Sequence, residues 1–379
     1  MNNIHKACLG SLYFAQRSNI SLLIFGSLKS LVKILFFRSN FVVTTSSDIV
    51  FVHNSNGRPD LLEDFYSFYH YFKSKGRLTE VKNLGFCLGT NFKLLLSFKF
   101  KKDFTNEMKL LLSKASIDLN LFQILYLKIR LLHAFILLYR YESQFKEYKD
   151  KIIILHKEME FLQNIIASTC KKFKIRCISL QHGFYEDAGD RVNLDNVVSI
   201  NYLANTATEI WCWGESTKKL FEKYTSACIF IIGIPKTFAN SNHKFIHTSN
   251  IVVFDSSDRF ESNDKLHEIR NLLEADGLYH PDDSLYKPRK DNLAITATKT
   301  VIGCHSSLLI HAALFGCNVL LLPESRLLSN NTTECKSSNL YDSLIEFTKN
   351  DLSNHVKLTG EKTFEIAYRL LQNNKFIGV

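Results

Sequence analysis

The chain has 379 residues, 46% hydrophobic and 22% charged, a balance that excludes a disordered chain and suits two domains better than one core. Its net charge of +10 favours an anionic partner, but it has no Lys/Arg tract and no helix-turn-helix, zinc-finger or RNA-binding signature, so nucleic acid is set aside for a membrane surface or an anionic substrate. The 9 cysteines are scattered, with no Cys-x-x-Cys and no metal-ligand spacing to His, which excludes a disulfide scaffold or structural zinc and fits a reducing cytoplasm.

Taken in order, residues 20–37 are strongly apolar but carry Lys29 and Lys33 one helical turn apart. They read as a first helix packing on a core, with an interfacial membrane helix as the sharper alternative. Short β-branched runs at 41–43 and 48–52 read as strands, the second running into His53-Asn54, and a helix is expected over 61–75. Residues 83–103 read as a further strand–helix pair. The longest apolar helix is expected over 119–140 with Asp118 as its N-cap; Lys128, Arg130 and Arg140 interrupt it and argue for burial rather than a bilayer span.

Residues 151–155, 158–172 and 175–180 form strand, helix and strand, the length of one βαβ unit. A strand at 209–214, a helix at 215–224 and a strand at 228–235 follow. Residues 236–250 are polar and irregular and mark a domain boundary. The pattern then restarts: strand 251–254, helix 264–275, short strand 278–280, strand 300–304, helix 308–315 closed by Gly316, strand 318–323 and a helix at 361–371. The expected class is α/β, with one Rossmann-like domain over 1–240 and a second over 250–379.

In open α/β sheets ligands bind beyond the carboxyl ends of the strands. The apolar run at 178–180 passes straight into Gln181-His182-Gly183, which sets an imidazole at such an edge. His182 can act as a general base near neutral pH; Glu186 and Asp187 follow closely and could be the base or orient it. The plainer alternative makes His182 a structural turn residue. Trp211 and Trp213 read as packing residues. In the second half, Ser256 and Ser257, His280-Pro281, and Ser306-Ser307 stand at strand ends expected on one edge. Hydroxyls and unpaired N–H groups at a helix start bind anions. His280 would add a hydrogen bond or a charge, and Pro281 would fix the turn, so the set suits a nucleotide phosphate; N-capping is the plainer reading of the serines.

Together, the two βα domains, Gln181-His182-Gly183, Trp211-Cys212-Trp213-Gly214, Ile232-Gly233-Ile234-Pro235, His280-Pro281 and Ser306-Ser307 resemble the bacterial surface-polysaccharide glycosyltransferases of the GT-B type. The resemblance covers residues 150–325. The His-Pro and Ser-Ser pair is similar to that of the polysialyltransferase and related capsule or lipopolysaccharide enzymes using CMP-activated sugars, and the Gln-His-Gly turn to that of capsule Kdo transferases. Ala188 stands where the sialyltransferase acid pair is followed by Gly, so the base stays open among His182, Glu186 and Asp187. The resemblance implies a GT-B fold, two Rossmann-like domains facing across a cleft. A nucleotide-sugar donor, CMP-linked sialic acid or Kdo, would be held by the second domain at His280, Pro281, Ser306, Ser307, Ser256 and Ser257. The first domain would hold a glycan or glycolipid acceptor. No metal or other cofactor is expected, the nucleotide sugar being a substrate, and the expected location is cytoplasmic, at the inner face of the membrane. The rivals are a UDP-sugar transferase, a sugar-nucleotide epimerase or a polyol-phosphate transferase on the same fold, and a catalytically degenerate assembly subunit.

Overall fold

In the computed structural model of the chain the described residues are 3–39, 41, 46–54, 59–84, 86–88, 101–156, 158–183, 185, 187, 189–192, 199–235, 251–253, 262–276, 300–304, 307–314, 316–323, 325, 327–328, 344–357 and 359–372. A 3-10 helix (Ile4–Cys8) leads into α1 (Leu9–Arg17) and α2 (Ile20–Phe36). Strand β1 (Phe37–Ser39) pairs antiparallel with β4 (Phe86–Leu88). The first large sheet takes β2 (Ile49–Asn54), β3 (Thr79–Leu84), β5 (Ile152–Leu155), β6 (Arg176–Leu180), β7 (Glu209–Cys212) and β8 (Cys228–Ile231), all parallel. Around it lie α3 (Pro59–Ser74), α4 (Lys101–Leu112), α5 (Leu121–Phe145), α6 (Phe161–Phe173), α7 (Ser199–Leu203) and α8 (Glu215–Tyr224).

Burial on both faces of the sheet explains why these runs are apolar throughout, since successive side chains of a strand point to opposite sides. Val50, Val52, Ile153, Leu155, Cys177 and Ile210 face the core under α5 and α6. Ile49, Phe51, Ile152, Ile154, Ile178, Leu180 and Trp211 face the opposite core, which is filled by Phe65, Phe68 and Phe72 of α3. Spatial order is β3-β2-β5-β6-β7-β8. The chain enters at β2, steps outward to β3, then returns to the other side of β2, so the order reverses between β2 and β5. That reversal is the topological switch point where an open sheet leaves a crevice.

A second sheet, order β12-β11-β10-β9, uses β9 (Ile251–Val253), β10 (Thr300–Gly303) and β11 (Asn318–Leu321) in parallel, with β12 (Ile345–Glu346) antiparallel at the edge. Its helices are α9 (Ser262–Ala275), α10 (Ser307–Leu314) and α11 (Lys349–His355). Val301, Val319 and Leu321 face one core and Ile302 the other. Gly316 follows α10 with a left-handed φ of 86°, as a helix C-terminus favours. The α/β class is therefore present in both sheets.

Several sequence expectations shift. The long helix is capped by Asn120 and not by Asp118. The Asn120 side chain accepts from the Gln123 N–H at 3.0 Å, and the Gln123 side chain accepts from the Asn120 N–H at 2.8 Å, a reciprocal box that satisfies two orphan donors. Helix α6 starts at Phe161 rather than at 158, because the Glu158 carboxylate turns inward to other partners. Strand β3 lies largely ahead of the 83–103 pair, and α1 carries no strong enough periodicity to stand out. Of the expected strand at 41–43 only Phe41 is described, and it lies outside any strand; residues 42–43, the expected strand at 278–280 and the boundary at 236–250 lie outside the described residues.

The division into 1–240 and 250–379 puts the last helix, α12 (Glu361–Gln372), with the second sheet. Its apolar face, Phe364, Ala367 and Leu371, lies instead on the α3 side of the first. Phe364 stacks on Tyr71 at 5.0 Å and meets Phe68 at 5.2 Å. Arg176 at the start of β6 donates to the Leu370 and Leu371 carbonyls while pairing with Glu209 at 2.6 Å. An amphipathic helix needs an apolar partner for its stripe, and an Arg at its end satisfies carbonyls that a helix terminus leaves open.

Candidate functional site

The alternation that builds the first sheet also aims its edge. Residues 49, 51 and 53, residues 152, 154 and 156, and residues 178, 180 and 182 continue to one face. His53, His156 and His182 therefore emerge on the α3 side at the carboxyl ends of three adjacent strands, flanking the switch point. His156 and His182 have ring centroids 5.8 Å apart, and Phe65 lies 5.5 Å from His156 and 5.8 Å from His53.

The three imidazoles are not equivalent. His53 Nδ1 faces the Asn54 carbonyl at 3.1 Å and must donate to it; Nε2 is then the acceptor for the Tyr66 hydroxyl at 3.1 Å. Both nitrogens are committed locally, so His53 is a positioning residue. His182 meets the Tyr185 hydroxyl at Nδ1, 3.0 Å away. Tyr185 is buried against Phe221, and burial pushes its phenol well above the ordinary value, so the group stays an O–H.

Gln181 fixes the turn from within. Its side-chain oxygen accepts from the Trp213 N–H at 2.7 Å, and its amide nitrogen donates to the Gly183 carbonyl at 2.8 Å. Its backbone N–H donates to the Trp211 carbonyl at 3.0 Å. Gly183 has no left-handed φ, and a Cβ there would meet nothing. The turn is thus shaped by Gln181 rather than by the conformational freedom of Gly183.

His182 stands between two recesses. One is a shallow recess lined by Phe65, Phe68, His156, His182, Trp213 and Pro235, among others. The other includes Glu158, Ser179, His182, Tyr185 and Asn201 in its wall. Glu158 is buried, and its Oε1 accepts from the Thr206 hydroxyl at 2.9 Å, the Ala207 N–H at 2.7 Å and the Thr206 N–H. Its Oε2 is buried without a hydrogen-bond partner. Burial raises the carboxyl's pKa, opposed by these donors and by the charge of Lys6. A polar oxygen left open beside a recess can receive a hydroxyl or, when protonated, offer one.

The second unit closes against this edge. Trp213 lies 5.9 Å from the ring of His311 in α10 and belongs to the second unit's core. Lys357 N–H donates to the Trp213 carbonyl at 2.9 Å, and Ser216 meets His355 Nδ1 at 2.8 Å. Gly214 has backbone atoms of His355 and Val356 where a Cβ would stand.

The other expected site residues are distributed unevenly. Asp187 is exposed, pairs with Lys223 at 2.7 Å and accepts from Tyr224 at 2.7 Å, and is in neither recess wall. Burial would raise its pKa, but Lys223, Tyr224 and the Gly189 N–H outweigh that and lower it. Ser307 is the first residue of α10. Glu186, Ser256, Ser257, His280, Pro281 and Ser306 lie outside the described residues. Among the described residues no three His, Cys, Asp or Glu side chains are grouped as a metal centre requires. Sequence reasoning missed His156, Glu158 and Tyr185. The first had a signal, since apolar runs ending in His recur at 53, 156 and 182; Glu158 had none, being one acid in a turn.

No protein-family model matches the sequence, and no curated protein matches it. Solved structures similar to it include three sugar-handling proteins. A mutant Staphylococcus aureus TarM in complex with fondaparinux, α-GlcNAc-glycerol and UDP is 13% identical, over 64% of this chain and 56% of that one, with a TM-score of 0.36. The UDP-GlcNAc 2-epimerase of Methanocaldococcus jannaschii is 10% identical, over 86% and 99%, at 0.42. The glycotransferase of kitacinnamycin is 9% identical, over 75% and 81%, at 0.39. The chain spans little more than half the length of the TarM structure.

Proposed function

We propose that this chain is a GT-B glycosyltransferase, moving a sugar from a nucleotide-activated donor to a surface-polysaccharide or lipopolysaccharide acceptor on the cytoplasmic side of the membrane. CMP-linked sialic acid or Kdo is the favoured donor, on the sequence resemblance. The observation that carries the reading is His182, set beside the switch point between two recesses, held by Tyr185 and roofed by a second α/β unit through Trp213. In this reading the acceptor hydroxyl meets His182. With Nδ1 donating to the Tyr185 oxygen, Nε2 takes the hydroxyl proton as the oxygen attacks the anomeric carbon and the nucleotide leaves with the bonding pair. Tyr185 thereby holds the ring at Nδ1. The start of α10, with Ser306 and Ser307, would face the departing phosphate through unpaired N–H groups and the helix dipole, and His280 would add a donor. Catalysis requires no metal ion in this scheme, so EDTA should leave turnover unchanged.

The first test is a thermal-shift panel of CMP, CDP, UDP and GDP. A ligand at a hundred times its Kd stabilises by about 2.7 kcal/mol, so a real donor site shows as a rise in Tm. A rise with CMP supports the reading. A rise with UDP alone moves the donor class, and no response from any nucleotide favours an assembly subunit. Turnover of a nucleotide sugar without acceptor would identify an epimerase.

A further inference from the structure

Helix α2 is held to the body along a narrow edge, Leu23, Ser30 and Ile34. Gly26 lets it approach α5 closely, since a Cβ there would lie 2.9 Å from the Tyr126 ring. The rest of α2 turns large apolar groups to solvent: Ile24, Phe25, Leu28, Val32 and Phe36, with Phe25 66% exposed. At the start of α5, Leu121, Phe122 and Leu125 do the same, Leu121 at 76%. Phe14 of α1, also exposed, has its ring 5.6 Å from that of Tyr126. Phe14 and Gly26 thus meet the same ring, which follows Leu125 directly and lies one turn beyond Phe122, so the exposed groups of three helices adjoin. Single exposed apolar residues need no explanation, but a continuous patch of this kind marks an interaction surface.

Charge identifies what covers it. Residues 1–47 contain no Asp or Glu and five Lys or Arg, and residues 119–141 contain no acid and carry Lys128, Arg130 and Arg140. Lys29 is exposed on α2, and Lys128 is exposed one turn beyond Leu125 on the same side of α5. Burial, then the charges of Arg130 and Lys29, lower the pKa of Lys33, as expected where like charges gather. A second copy of the face would bring these cations together across a drying interface, which disfavours self-association. An apolar layer beneath anionic groups satisfies both features at once.

We propose that α2 and the first turns of α5 dock on an anionic lipid bilayer, with α2 lying in the headgroup region parallel to the membrane. Lys29 and Lys33 fall mid-helix, and its inner edge is fixed to α5, so α2 lies on the membrane rather than crossing it. Helix α5 is long and apolar enough to span, but Leu127, Leu131, Phe135 and Leu138 are core residues. The docking is independent of the glycosyl-transfer reading.

Co-sedimentation of the full chain with phosphatidylcholine vesicles, with and without phosphatidylglycerol, tests it. Binding is expected to rise with phosphatidylglycerol and fall with added salt. The exposed pair Phe25→Glu/Leu28→Glu should weaken it by more than about tenfold, with Tm unchanged. Lys29→Glu/Lys128→Glu should weaken binding to the anionic vesicles only, which gives a second route if the first variant misfolds. Wild-type protein that stays in the supernatant with both vesicles overturns the proposal. So does a dimer by light scattering that the Phe25→Glu/Leu28→Glu variant dissociates without any vesicle binding.

Discussion

Glu158 holds a carboxyl where ionisation is costly. Burial raises its pKa above the ordinary 4.5 despite donors from Thr206 and Ala207. Such a group keeps its proton in the fold after the unfolded chain has released it. Its contribution is complete below the unfolded pKa and is lost as pH rises through the folded one. Glu158→Gln retains an oxygen for Thr206 and Ala207 and removes the ionisation. It should melt higher than wild type at neutral and alkaline pH and equally at pH below about 4; a difference that does not vary with pH would assign Glu158 a purely steric role. His133 works in the opposite sense. Burial, then Arg130 and Lys33, push its imidazole down to about 3, so stability is lost as pH falls from 6.5 toward that value. Denaturant titrations should show a loss of up to about 2 kcal/mol between pH 7 and 5, largely absent in His133→Leu. At the site itself, His182→Ala should lower kcat by about a hundredfold or more, and Tyr185→Phe should lower kcat more than it raises KM, since it removes the partner that orients the ring and not the acceptor's contacts.

At the scale of elements, two close approaches carry much of the arrangement. Gly214 stands where any side chain would run into the backbone of His355, so Gly214→Ala must push α11 away from the first unit. A cost of about 1–3 kcal/mol is expected in chemical denaturation; an unchanged midpoint would show that the units do not meet this closely in solution. Arg176 ties Glu209 and the end of α12 to one guanidinium. Arg176→Met should cost about 2–4 kcal/mol, because it leaves a half-buried carboxylate and two helix carbonyls without their donor.

These elements also mark how far the sequence could be read. Strands β5, β6, β7 and β8 were legible because burial on both faces makes them short, continuous apolar runs with polar ends. The edge strand β3, Thr79–Leu84, alternates charged and apolar residues weakly and was not. The site was legible where chemistry follows a strand directly, as at His182. It was illegible where a turn residue from one strand reaches partners 48 positions away, as Glu158 does with Thr206. Helix α2 was legible as a helix, but its two faces were not. Its sequence is apolar on nearly every side, and only the position of α5 decides which side is core.

Over the whole molecule, most of the exposed large apolar side chains among the described residues lie on α1, α2 and α5, within stretches (1–47 and 119–141) that carry Lys and Arg but no acid. The candidate site opens at the carboxyl edge of that unit's sheet, facing the second unit. The candidate site and the helices with the exposed apolar face thus belong to one body with a shared core, Leu127 and Leu155 among its members.

Helix α12 constrains the order in which this chain can be made. The aromatic face of the first sheet, with Phe68, Tyr71 and Trp211, is covered by residues 361–372, which a ribosome delivers well over a hundred residues after β8. The first unit therefore cannot finish folding in the order of its synthesis, and its greasy face must wait for a helix made after the entire second unit. A fragment ending at residue 240 should aggregate, and a separately added peptide of residues 359–372 should rescue its solubility.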